Sequence, residues 1–129
     1  MKIRTLNIVM FFFLTLAFGY NIVFAESKNN AIKTMAKIIL HLNHYPSDTE
    51  KEALKKIIKS ESTSKHEGVL ANAIINLQHK VTDSDKKNLK AIINDKSIST
   101  AMYDLANIII NLNHQPSGKD IKKLQQLVK

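Results

Sequence analysis

The chain has 129 residues, with 19 Lys plus Arg against 11 Asp plus Glu, a formal charge of +8 and no cysteine. That length admits one domain of ordinary size. The missing thiol excludes disulfide scaffolds, thiol catalysis, zinc–cysteine sites and haem attachment through cysteine.

Residues 1–25 have the pattern of a secretory signal peptide. Lys2 and Arg4 form the positive start, Leu6 to Phe18 is almost continuously apolar, and Val23-Phe24-Ala25 places small residues at −3 and −1 before Glu26. The expected location is the periplasm or the medium, after cleavage behind Ala25. The competing reading is a retained anchor, because Leu6 to Ala25 covers about 20 residues, enough to span a bilayer. Cleavage removes all five Phe and leaves a mature charge of about +6. A secreted chain without cysteine gains no disulfide stability and must be held by its core.

Residues 26–129 read as one all-α domain built on an internal repeat. Ala36-Lys-Ile-Ile-Leu-His-Leu-Asn-His44 recurs as Ala71-Asn-Ala-Ile-Ile-Asn-Leu-Gln-His79 and again as Ala106-Asn-Ile-Ile-Ile-Asn-Leu-Asn-His114, each copy 35 residues after the last. Three hairpins of two helices follow, over about 30–60, 65–95 and 100–129. The first helices are expected at 30–44, 65–79 and 100–114, the second at 48–59, 83–94 and 118–128. Ser47/Glu50, Thr82/Asp85 and Ser117/Asp120 have capping-box spacing and open the second helices, and Ser64/Glu67 opens the first helix of the middle unit. Pro46 and Pro116 stop the preceding helix.

The second helices carry one apolar stripe, such as Leu54-Ile57-Ile58, with lysines outside. The first helices are apolar over most of their circumference, so they need neighbours on most sides, as stacked hairpins supply. The expected architecture is six helices arranged as a short α-solenoid or a compact helical bundle. The period is similar to that of tetratricopeptide repeats, but the units lack the aromatic and Gly positions of those repeats, and no family is assigned. The last unit ends without a polar capping helix, which leaves self-association open.

Each first helix keeps polar residues at i, i+4 and i+7: Lys37-His41-His44, Asn72-Asn76-His79 and Asn107-Asn111-His114. That spacing puts each trio on one helix face, and stacking lays the trios side by side. Amides donate and accept together, which suits an extended peptide backbone. The structural alternative is a solvated strip in which a terminal His bonds the last carbonyls. In a linear ladder, neighbouring helices lie about 8–10 Å apart. Two histidines then reach one ion while the third lies too far for a Zn–N bond near 2.1 Å. No metal site or cofactor is therefore expected.

The outer helices carry Lys51, Lys55, Lys56 and Lys59, then Lys86, Lys87 and Lys90, then Lys119, Lys122 and Lys123. Nucleic acid does not suit this face, since the mature part offers no Arg for bidentate contacts and no stacking platform. Anionic lipid or lipopolysaccharide fits better, against a simple solvated face. No catalytic constellation appears, so an enzyme is not expected. The favoured role is an exported interaction module that binds a protein or peptide of the cell envelope through the Asn/His stripe, as an adaptor, inhibitor or immunity-type protein. The alternatives are a small-ligand or metal binder using the repeated histidines, and a cationic protein on anionic envelope surfaces.

Overall fold

The computed structural model describes residues 30–129; the signal-like segment lies outside the described residues. They form six helices and no β-strand: α1 (30–40), α2 (Asp48–Lys59), α3 (Lys65–Ile75), α4 (Asp83–Asn94), α5 (Thr100–Asn111) and α6 (Gly118–Leu127). No helix among the described residues is long and apolar enough to cross a membrane.

The helix starts follow local chemistry. Ser47, Ser64, Thr82, Ser99 and Ser117 are N-caps in extended backbone, and each hydroxyl accepts the backbone N–H three residues on. Ser47, Ser64 and Ser117 complete a reciprocal box with Glu50, Glu67 and Asp120. A cap of this kind is worth about 1 kcal/mol. Glu67 is only 2% exposed, and its carboxylate accepts the Ser64 N–H at 2.7 Å, so the box buries no orphaned charge.

The first helices end earlier than their apolar pattern predicts. α1 stops at residue 40, α3 at Ile75 and α5 at Asn111, three to four residues before the expected ends. The pattern misleads because Leu42, Leu77 and Leu112 stay buried outside the helix. Leu112 does so as an extended C-cap, with φ −61° and ψ 132°, its N–H bonded to the Ile109 carbonyl.

The repeat governs the core. Met35, Leu70 and Leu105 occupy equivalent positions, as do Ile39, Ile74 and Ile109, and Leu54, Leu89 and Leu124, all fully buried. Removing such side chains from water is the main stabilising contribution, about 1.5–3 kcal/mol each. Consecutive hairpins pack through α2 on α3 and α4 on α5. The first and third hairpins also touch directly. Lys33 Nζ of α1 donates to the carbonyl of Lys129 at 2.8 Å, and His44 N–H donates to the His114 carbonyl at 3.3 Å. Each hairpin thus meets both of the others.

Candidate metal centre

The turn between the two helices of each hairpin is built in the same unusual way. His44, His79 and His114 have φ of 73°, 69° and 65°, and they are the non-glycine residues in left-handed backbone among the described residues. In the first and third turns the residue after His bonds back across it. Tyr45 N–H donates to the Asn43 carbonyl at 3.0 Å, and Gln115 N–H to the Asn113 carbonyl at 2.8 Å. A three-residue turn with positive φ at its centre is a strained form. Left-handed backbone costs an L-residue roughly 1–2 kcal/mol, and Gly or Asn would fill it at less cost.

Backbone hydrogen bonds link the three turns into a ring. His44 N–H donates to His114 C=O, His114 N–H to His79 C=O at 2.7 Å, and His79 N–H to His44 C=O at 3.2 Å. This ring brings the imidazoles together. Their centroids lie 5.2 Å (His44–His79), 5.3 Å (His44–His114) and 4.7 Å (His79–His114) apart. One ligating nitrogen from each lies within 4.8 Å of the others. The distance expected from a linear ladder is therefore corrected: the third histidine is not a second helix spacing away, because the turns meet at one point.

The nitrogens suit a metal. Tetrahedral Zn–N bonds near 2.0–2.1 Å put ligand nitrogens about 3.3 Å apart. His79 and His114 already hold their Nδ1 atoms at 3.0 Å. Two neutral imidazoles at that distance share one proton, which a metal would displace. His44 Nδ1 donates to Asn43 Oδ1 at 2.8 Å, which leaves its Nε2 lone pair free. An amide oxygen on the far nitrogen is the usual device for orienting a ligating imidazole. The His114 pKa lies below the ordinary imidazole value, first because neighbouring groups strip water from its cation, then because His79, His44 and Lys80 oppose a further charge. The unprotonated form is the one that ligates.

The rest of the Asn/His stripe does not join this cluster. His41 Nδ1 donates to its own helix at the Lys37 carbonyl, 2.9 Å away. Asn72, Asn107 and Asn111 likewise turn their amide N–H onto the carbonyls of Gly68, Tyr103 and Asn107 at 3.1, 3.0 and 2.9 Å. Asn76 holds the buried Asp85 carboxylate at 3.1 Å, with Thr82 Oγ1 on the same oxygen at 2.6 Å. That bond gives Asn76 a structural role. Lys37 is exposed. Of the outer lysines, Lys55 pairs with Glu52 at 2.7 Å and Lys123 with Asp104.

The sequence reading named all three histidines and missed their convergence. The available signal was a His at the same register of all three repeats, 35 residues apart. Comparison of the chain with protein-family models, curated proteins and solved structures finds no match.

Proposed function

We propose that this is an exported metal-binding protein in which three helical hairpins close around one divalent transition-metal site, held by His44, His79 and His114. The observation that carries the reading is the convergence of three imidazoles on three strained turns linked by their own backbone. A turn selected for stability alone would hold Gly or Asn. Histidine at all three positions spends stability on side chains that meet. Nitrogen-only donors suit Zn²⁺, Cu²⁺ or Ni²⁺ and disfavour Ca²⁺ and Mg²⁺, which take oxygen. Three protein ligands with an open position suit a binding or exchange site better than a closed structural one. Export is supported by the sequence of residues 1–25.

The test is calorimetry and thermal shift with Zn²⁺ and Cu²⁺. The expected stoichiometry is one ion per chain. His44→Ala, His79→Ala and His114→Ala each weaken binding by at least about a hundredfold, since even the orienting partners of ligands are worth 10–100-fold. His41→Ala and His66→Ala leave it unchanged. Equal losses from His41→Ala, or no binding by the wild type, overturn the reading.

A second reading, a protein or peptide partner, rests on Tyr45. It is 60% exposed and walls a groove of about 470 Å³ with Asn76, Gln78 and Thr82. Photo-crosslinking from position 78 in the native envelope tests it. A discrete adduct that Tyr45→Ala removes supports the groove, and none rules it out. The lysine face, with Lys56, Lys59, Lys86, Lys87 and Lys90 exposed, would serve anionic lipid. That reading predicts vesicle binding that fades with salt.

A further inference from the structure

Charge is what the three-histidine centre leaves unbalanced. Three neutral imidazoles bring a divalent ion no negative charge. The ligand-competent groups gathered there, among the described residues, are the three histidines, with no Asp or Glu in the set. Lys80 adds positive charge on the His114 side of the cluster. Lys80 follows His79 directly, while the equivalent positions after His44 and His114 hold Tyr45 and Gln115. Amides precede each of the three clustered histidines, as Asn43, Gln78 and Asn113. His79 and His114 are exposed and His44 is half-buried, so a metal held there would face solvent on one side.

We infer that the loaded site is a ternary one, in which a small inorganic oxyanion of the phosphate or bicarbonate class takes the fourth position on the metal, with Lys80 as its counter-ion. This rests on the metal reading above. A carboxylate-ligated site would neutralise its own ion and discourage a further anion. Here the ion and Lys80 both attract one. Amide N–H groups beside the histidines are suited to donate to its outer oxygens. The anion displaces a metal-bound water and no covalent step is involved. In this arrangement metal and anion bind cooperatively, and each raises the affinity for the other by the same factor.

Cobalt replaces zinc as a spectroscopic probe. The full mature chain is titrated with Co²⁺, then with sodium phosphate or sodium bicarbonate, ionic strength being held with perchlorate. The expected result is a visible tetrahedral Co²⁺ spectrum that changes saturably with either oxyanion, and a Co²⁺ affinity at least tenfold tighter in its presence. Lys80→Glu should weaken the anion effect about tenfold and leave or raise Co²⁺ affinity without anion. Lys87→Glu, on the outer face, should change neither. A Co²⁺ spectrum indifferent to both anions overturns the ternary site and leaves the metal reading standing. Absence of any Co²⁺ spectrum overturns the metal reading itself. A response undiminished in Lys80→Glu removes the lysine from the site.

Discussion

The chain reverses direction in two kinds of turn, and they are built on opposite principles. The turns between hairpins are relaxed and local. In the first, Thr63 Oγ1 donates to the Ile57 carbonyl at 2.5 Å and Ser64 caps α3. In the second, Asp95 accepts from both the hydroxyl and the N–H of Ser97 at 2.6 and 2.8 Å. Neither contains a residue of positive φ. The turns within hairpins put histidine in left-handed backbone and send their hydrogen bonds to other hairpins. One kind satisfies its polar groups at home and is optimised for stability. The other carries positive φ and brings three imidazoles together. Strain at the same register of all three repeats is what the proposed metal site would use, beside the backbone ring that these residues form.

The largest test of this contrast lies at the edge of the turn within the second hairpin. Asn76→Asp sets a second carboxylate against Asp85, which is 8% exposed and already receives Thr82 and Asn76. Losing a donor to a buried charge, and adding a like charge, should cost about 2–4 kcal/mol in urea unfolding at neutral pH. Asn111→Asp, exposed like Asn76 but bonded only to its own helix, should change stability by less than about 0.5 kcal/mol. Equal effects would show that Asn76 does not anchor the buried acid.

The second test asks for opposite signs in the two kinds of turn. Ser64→Ala removes a cap from a relaxed turn and should cost about 1 kcal/mol. His79→Gly relieves left-handed strain and, after the entropy that Gly restores to the unfolded chain, should be neutral or stabilise the metal-free protein by up to about 1 kcal/mol. The same change should abolish metal binding. A destabilised His79→Gly would mean that the imidazoles stabilise the fold by themselves, and the argument from strain would fail.

Much of this fold was legible because its signals are local. Every second-helix start follows a hydroxyl cap, and the 35-residue register named the buried triplets such as Ile39, Ile74 and Ile109. The end of each first helix was not legible. Leu42, Leu77 and Leu112 continue the helical period, yet they reach the core from beyond the helix ends, Leu112 from extended backbone. The centre itself depends on contacts between the first and third hairpins, 70 residues apart, as between His44 and His114. Periodicity gives which face a residue occupies within its own helix. It does not give whether three hairpins run in a line or meet around a point, and the linear assumption placed the third histidine out of reach. Nor does it give that Asn76 bonds Asp85, which lies on another helix.

A pH titration separates the two turns further. With chelator present, the pKa of His114 lies below its value in the unfolded chain, ordinarily near 6.5. The unfolded state therefore takes up the proton first as pH falls. Stability from this group is complete above about 6.5 and is lost as pH drops from there through the lower folded value. The melting temperature of the metal-free chain should decline on acidification below about pH 6.5. His114→Asn should flatten that decline. A decline of the same size in His114→Asn would assign it to other groups.

The smallest effect belongs to the relaxed turn, where the titrating group is a carboxylate and the same sign operates at lower pH. The Asp95 pKa is held below the usual aspartate value first by the Ser97 hydroxyl, then by the Ser97 N–H, with a lesser contribution from His66 at 3.6 Å. Its stabilising contribution is present above the unfolded value and fades as pH falls through the folded one. Ser97→Ala deletes the hydroxyl and keeps the backbone donor. The Asp95 carboxyl should then titrate higher, part of the way back to the ordinary value, as read by the NMR shift of its side-chain carbon. An unmoved titration would mean that the N–H alone holds the charge. Metal affinity should not change in this variant, because the two kinds of turn share no ligand. A change in metal binding would show that the relaxed turn and the strained one are coupled through the helices that join them.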